Sequence, residues 1–142
     1  MKNKIVSRGK IIVLIVSLLM PVVLIPVFPL VSKVDWLLGL WLYSTLILMS
    51  PCILSLINFG LCNMYGINKW FGFANCVVAV MLSDVIGTSE LYKAFPSGVS
   101  WAPTLDMQFV LIICPVLICV AVYLLTMLCH SIIKKSLEKK VI

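Results

Sequence analysis

The most constraining feature of this chain is a series of four long apolar stretches that contain almost no charge. They cover residues 11–31, 36–60, 70–88 and 107–129, and only the third contains a charged residue, Asp84. About 20 mostly apolar residues are enough for an α-helix to cross the hydrocarbon layer of a membrane. Runs of this length favour helices over barrel strands, which are about 10 residues long and alternate in polarity. The sequence therefore predicts four transmembrane helices.

The composition leads to the same class of protein. Hydrophobic residues make up 63% of the 142 residues, charged residues make up 11%, and the mean hydropathy is +1.19. A soluble domain carries about a quarter charged residues, so this chain has too little polar surface to cover a globule in water. A soluble enzyme, a disordered chain and a nucleic-acid-binding module are thereby excluded. We expect residues 1–142 to form one all-α integral membrane domain.

The basic residues predict the orientation of the chain. Four spans place both termini on the same side of the membrane, and Lys and Arg concentrate on the cytoplasmic side. With both termini inside, only Lys33 and Lys93 lie outside. The basic residues that then lie inside are Lys2, Lys4, Arg8, Lys10, Lys69, Lys134, Lys135, Lys139 and Lys140. We therefore expect a compact antiparallel bundle with cytoplasmic termini in a bacterial inner membrane, contacting lipid headgroups and not nucleic acid.

The sequence predicts two departures from regular spanning helices, one in a loop and one within the first span. Residues 89–106 form the one substantial loop, on the outer side, and their aromatic side chains favour contact with the headgroup layer or the mouth of the bundle. The outer half of the first span contains Pro21, Pro26 and Pro29, each of which removes a helix hydrogen bond. This half is expected to be kinked or broken, either as a bent packing helix or as a cavity wall.

Small and polar residues predict the faces through which the helices associate. Lipid tails are as apolar as leucine, so helices in membranes associate through small residues and polar contacts. The third span carries a row at four-residue intervals: Asn75, Ala79, Ser83 and Gly87. The second span carries a comparable stripe that includes Ser44, Ser55 and Asn58. We expect the two spans to pack through these faces, with Asn58 and Asn75 at similar depth; the alternative is that one face joins two copies of the chain.

Asp84 is the candidate proton or ion site. An acidic side chain at the centre of a span costs about 2.5–3.5 kcal/mol on the insertion scale, so such residues mark functional sites by default. In that case Asp84 is protonated or binds a cation. The structural alternative is an acid near the outer boundary that reaches interfacial water or bonds to Tyr43 or Ser44.

The sequence carries no pattern for catalysis, a cofactor or a metal. His130 is the one histidine and has no nearby carboxylates with which to build a zinc site, so a structural role at the inner end of the fourth span is expected. The six cysteines avoid both outer loops and form no CxxC pair, which excludes a thiol oxidase. A lipid-modifying enzyme built on Glu90 and Asp106 lacks a histidine or metal motif. We expect a protein that is not an enzyme.

Two functions remain. The first is a non-enzymatic membrane protein that acts through helix–helix contacts with another membrane protein or with itself, as an accessory subunit or an immunity protein against a membrane-inserting toxin. Four spans with both termini inside resemble the architecture of one group of colicin immunity proteins. The second is a small oligomeric transporter coupled to a proton or cation at Asp84.

Overall fold

The computed structural model describes residues 2–31, 33, 36–94 and 105–141. Four α-helices account for nearly all of them: α1 (Lys2–Val31), α2 (Trp36–Met64), α3 (Lys69–Ala94) and α4 (Leu105–Val141). No strand occurs within these ranges. At about 1.5 Å per residue, each helix is longer than the roughly 30 Å hydrocarbon layer.

All four helices are long and apolar enough to span a membrane, which confirms the predicted all-α, multi-pass class. The qualifying segments are Asn3–Val27, Leu37–Met64, Lys69–Glu90 and Ile112–Lys139. Each overlaps one of the four apolar stretches of the sequence. The hydrophobic pattern is sufficient here because each stretch is much longer than any run that a soluble core would need.

The helix ends differ from the predicted span ends. Helix α1 begins at Lys2 rather than near residue 11, and α4 continues to Val141 rather than ending near residue 129. Helix α3 continues to Ala94, so the first six residues of the predicted loop 89–106 are helical, stabilised by a Lys93–Glu90 ion pair of 2.8 Å one turn apart. Residues 95–104 lie outside the described residues. Hydropathy locates the membrane-embedded part of a helix, whereas the hydrogen bonds of a helix continue into polar sequence until a residue stops them.

The sequence predicts a kink or break in the outer half of the first span, and the structure contradicts the break. Helix α1 is continuous through Pro21 and Pro26 to Val31. Proline removes one hydrogen bond per position, and neighbouring helices and serine hydroxyls accommodate the freed groups in membrane helices. Pro21, whose missing amide leaves the Ser17 carbonyl without its usual donor, is buried among the helices.

A short connection joins α2 to α3. Gly66 has a positive φ of 64°, which glycine adopts without steric cost, and the Ile67 amide donates to the Cys62 carbonyl at 2.9 Å. This 6→1 bond is that of a Schellman motif, which satisfies a carbonyl at the end of α2. Asn68 then caps α3, its Oδ1 accepting from the Trp70 amide at 3.1 Å. The end of the molecule that holds residues 65–68 is called the connection end below.

Helices α2 and α3 lie at the centre of the molecule. Both contact α1 and α4, whereas α1 and α4 make no contact with each other within the described ranges. Burial agrees with this central position of α3. In its most apolar 18-residue segment 44% is buried, whereas in the corresponding segment of α4 only 17% is buried. The main cluster of buried residues joins α2, α3 and α4 and consists of Leu54, Phe59, Cys76, Ala79, Val80, Cys119 and Tyr123.

Candidate functional site

A polar network centred on Asn58 joins three helices. Asn58 of α2 is fully buried, and its Nδ2 donates to Ser17 Oγ of α1 at 2.7 Å and to Cys76 Sγ of α3 at 3.0 Å. Cys76 in turn donates to the Leu54 carbonyl of α2 at 3.6 Å. Hydrogen bonds between membrane helices stabilise by about 0.6 kcal/mol on average, with a maximum near 1.7 kcal/mol. The network therefore sets how α1, α2 and α3 face one another.

A second set of contacts attaches α4 to the other helices. The Ser55 hydroxyl of α2 lies 3.4 Å from the Cys119 carbonyl and 3.3 Å from Cys119 Sγ. Closer to the connection end, the Tyr123 hydroxyl donates to the Lys69 carbonyl at 2.6 Å. The Tyr123 ring meets the Phe59 and Phe73 rings edge-on, with centroids 5.9 Å and 5.4 Å away. Helix α4 thus packs against the bundle through the face that contains Cys119 and Tyr123.

The predicted interaction faces lie mostly inside the molecule. Ala79, Ser83 and Gly87 of α3 are buried, as are Ser55 and Asn58 of α2. Because the helices cover these residues, we interpret both faces as internal packing surfaces. They lie between helices of the same chain, and Asn58 reaches α1 as well as α3.

Two members of the predicted faces are placed differently. Asn75 is half-buried and donates to the Phe71 carbonyl of its own helix at 2.8 Å. Asn58 bonds to the adjacent Cys76, so the two asparagines lie at similar depth, as expected. Ser44 lies at an exposed position of α2. The side chain of Tyr43, the other predicted neighbour of Asp84, lies outside the described residues. The predicted hydrogen bond from Asp84 to Tyr43 or Ser44 therefore stays a prediction.

Asp84 is buried within the bundle, with 2% of its surface exposed. Its Oδ2 has no hydrogen-bond partner in the part of the chain that the structure describes. The predicted alternative of an acid reaching interfacial water does not fit this burial. A buried carboxyl oxygen without a partner is costly, so a proton or a cation at Asp84 would relieve that cost.

Two buried prolines supply further polar groups near the level of Asp84. Pro51 of α2 and Pro115 of α4 lack an amide hydrogen, so the helix leaves the carbonyls of Ile47 and Leu111, four residues earlier, without their usual donors. Leu54, Cys76 and Cys119 pack together in the main cluster and so mark one level of the bundle. Ile47 lies seven residues from Leu54 on α2, Asp84 lies eight from Cys76 on α3, and Leu111 lies eight from Cys119 on α4. Each of the three is therefore about 10–12 Å from that level along its own helix. The carboxyl group of Asp84 and the two carbonyls thus lie at a similar level along the bundle.

The cysteines are all free thiols, three of them buried: Cys62, Cys76 and Cys119. Among the described residues, no three His, Cys, Asp or Glu side chains come close enough together to hold a metal ion. His130 lies at the connection end, where its ring packs edge-on against Phe59 with centroids 5.5 Å apart.

Sequence reasoning does not identify several residues that hold the helices together. Ser17 is one serine in an apolar span, and Cys76 and Cys119 are indistinguishable in sequence from small hydrophobic residues. Gly72 is needed because an added Cβ would lie 2.5 Å from the Tyr123 hydroxyl and 2.6 Å from Cys62 Sγ. The sequence feature that could have identified them is their position in the helix. Ser17 lies one turn before a proline, and Gly72 lies four residues before Cys76, on the same face of α3.

No protein-family model, curated protein or solved structure matches the chain.

Proposed function

We propose that this chain is a small non-enzymatic integral membrane protein that acts by helix–helix interaction with another membrane protein. The observation that carries the proposal is where its polar and apolar side chains lie. Asn58, Ser55 and Ser83 are turned into the bundle, whereas large apolar side chains cover the sides of all four described helices. A protein partner therefore meets mainly apolar helix surfaces, in the plane of the membrane. An accessory subunit and an immunity-type protein against a membrane-inserting toxin both act in this way.

In this proposal the helices form an antiparallel bundle with both termini cytoplasmic, in a bacterial inner membrane. The order of the contacts supports the direction of the helices. Gly9, near the start of α1, lies against Tyr65, just after the end of α2, while Leu24 and Ser50 line one groove further along. The bias of Lys and Arg toward the connection end and the termini supports the orientation.

A groove between α1 and α2 is the surface best suited to a partner helix. It encloses about 320 Å³ and is open to the side of the bundle. Its lining is apolar except for Ser50, whose hydroxyl donates to the Leu46 carbonyl of its own helix at 2.5 Å. The lining residues are Val16, Leu19, Met20, Val23, Leu24, Ser50, Ile53, Leu54 and Ile57. We assign this groove to a transmembrane helix of the partner, because helices in membranes associate by close packing of complementary surfaces.

Photo-crosslinking in the native host tests this proposal. A photoreactive benzoylphenylalanine is placed at Ile53, which lines the groove. In a control chain it is placed at Val78, on the exposed face of α3. The two positions are matched in exposure, 54% and 55%, and in depth, because the neighbouring Leu54 and Cys76 are in contact. We expect the Ile53 chain to give one discrete adduct heavier than the monomer and the Val78 chain to give none.

A second, differently tagged copy of the chain distinguishes the kinds of partner. An adduct that lacks the second tag contains another protein, as proposed. An adduct that contains it shows that the groove joins two copies of this chain. Equal adducts from both positions, or none from Ile53, would contradict the assignment of the groove.

The second candidate function is a small oligomeric transporter that couples to a proton or cation at Asp84. The buried, unpartnered Oδ2 and the carbonyls freed by Pro51 and Pro115 favour it. Four helices enclose little space, so such a transporter would need at least two copies of the chain.

Asp84→Asn separates this candidate from the first. Asparagine keeps the shape of the side chain but cannot release a proton or carry a negative charge. If Asp84 couples transport, proton or cation flux into liposomes that contain the purified chain is expected to fall to the level of empty liposomes, while the variant still folds. Glu90→Gln is the matched control, because Glu90 is outside the core and pairs with Lys93. Flux that Asp84→Asn leaves unchanged, or that the original chain never shows, would rule out the transporter.

A further inference from the structure

A polar cleft opens at the connection end, between the residues that join α2 to α3 and helix α4. It has a volume of about 430 Å³. Its lining residues are Cys62, Asn63, Gly66, Ile67, Lys69, His130, Ser131 and Lys134. The candidate spans of α2 and α3 end at Met64 and begin at Lys69, so the cleft lies where these two spans meet the short connection between them. The polar network of Asn58 and the acid Asp84 take no part in it.

Lys69 is held at this cleft by neutral groups. Its Nζ lies 3.2 Å from Nδ1 of His130 and 5.1 Å from the centroid of the Phe59 ring. An ammonium group can only donate, so Nδ1 of His130 accepts and the other ring nitrogen, Nε2, carries the hydrogen. The ring and the imidazole orient the ammonium group without neutralising its charge.

The charge of the cleft is not balanced by an acid. Lys69 and Lys134 both line it, and no acidic residue does. Within the described ranges, the one ion pair is Lys93–Glu90, beyond the other end of the α3 span. Glu138, further along α4, lines a different cleft with Lys135 and Lys139. Two ammonium groups at a partly enclosed site attract an anion more strongly than they would in open water.

We propose that this cleft binds a phosphate group, either from the headgroup of an anionic phospholipid or from free inorganic phosphate. Lys69 and Lys134 supply the charge, while the hydroxyl of Ser131, the amide of Asn63 and Nε2–H of His130 supply neutral donors. Phosphate oxygens accept several hydrogen bonds at once, and charge-assisted bonds of this kind are about twice as strong as neutral ones. Basic pockets between membrane helices suit the headgroups of anionic lipids for the same reason.

The test compares two adjacent lysines in the full chain, purified in a neutral detergent. Lys134→Gln removes a charge that lines the cleft, and Lys135→Gln removes the same charge from a neighbouring position that lines the other cleft. Thermal unfolding is followed while inorganic phosphate or phosphatidylglycerol is titrated. Sodium chloride at matched ionic strength controls for screening, and phosphatidylcholine controls for the acyl chains. A ligand that binds only the folded protein stabilises it by RT ln(1 + L/Kd), where L is the free ligand concentration, so Tm rises with the logarithm of L once L exceeds Kd.

We expect phosphatidylglycerol or inorganic phosphate to raise Tm of the original chain and of Lys135→Gln. In Lys134→Gln about tenfold more ligand is expected for the same shift, since one charge-assisted hydrogen bond is lost. A shift with inorganic phosphate identifies free phosphate as sufficient, and a shift with phosphatidylglycerol alone identifies the lipid headgroup. Equal losses in the two variants, a shift that phosphatidylcholine or sodium chloride reproduces, or no shift with either phosphate source overturns the proposal.

Discussion

Replacing Tyr123 with alanine is expected to lower the free energy of unfolding by about 3 kcal/mol, the lower end of the range for buried aromatic residues. Tyr123 is the largest of the fully buried side chains among the described residues. The substitution removes its edge-on contacts with Phe59 and Phe73 and its hydrogen bond to the Lys69 carbonyl, and it leaves a cavity between α2, α3 and α4. Lost packing is costly in a membrane because packing, rather than exclusion of water, holds the helices together.

Equilibrium unfolding in mixed detergent micelles measures this loss. Tyr123→Phe keeps the ring and removes only the hydroxyl, so we expect it to cost about 1 kcal/mol, within the range for one hydrogen bond between membrane helices. Leu125→Ala is the control for truncation on the same helix, because Leu125 is 59% exposed. A Tyr123→Ala variant no less stable than Leu125→Ala would mean that α4 does not pack against the bundle through the face that contains Tyr123.

Gly72→Ala is expected to destabilise the protein by about 1–3 kcal/mol, as overpacking of a tight site does. The new Cβ would lie 2.5 Å from the Tyr123 hydroxyl and 2.6 Å from Cys62 Sγ, so at least one of these groups must move. Gly60→Ala on α2 is the matched control, because nothing lies within 4 Å of the position that its added methyl group would take. There alanine is expected to be neutral or stabilising, up to about 1 kcal/mol, through its helix propensity.

The double variant Gly72→Ala with Tyr123→Phe tests the physical cause. Removing the hydroxyl removes the closest of the contacts with the added methyl group. We therefore expect the cost of Gly72→Ala to be smaller in the Tyr123→Phe background than in the original chain. Strictly additive costs, or a Gly60→Ala variant as unstable as Gly72→Ala, would show that the close approach of α3 to α4 is not the reason for glycine at this position.

The number of helices and their approximate position could be predicted from the sequence, but the contacts between them could not. Hydropathy located all four spans, since backbone groups in lipid must bond within their own helix. The residue patterns also identified the buried faces at Ala79, Ser83 and Asn58. Periodicity tells which residues share a face, but it does not tell which neighbour covers that face. For this reason the partners of Asn58 are Ser17 and Cys76, while Asn75 bonds to its own helix.

The helix ends and the proline-containing segment were predicted less well for a related reason. Residues 89–94 are too polar for a membrane span, yet they continue α3, because hydrogen bonding along the helix does not require an apolar environment. Helix α1 remains continuous at Pro21 because the effect of a lost hydrogen bond depends on what surrounds it. The local sequence shows that a proline removes one helix hydrogen bond. Whether the helix breaks there depends on how the neighbouring helices accommodate the freed carbonyl.

The sequence alone determined that this chain has four helices long and apolar enough to span a membrane, and that Asp84 is the one acid within its four apolar stretches. Both conclusions depend on the solvent, since lipid admits long apolar helices and makes an acid costly wherever it lies along a span. The tertiary structure decided which polar groups meet: Asn58 with Ser17 and Cys76, and Lys69 with His130 beside Lys134. Such pairings depend on the rotation and register of each helix against its neighbours, which arise only when side chains from different helices pack together.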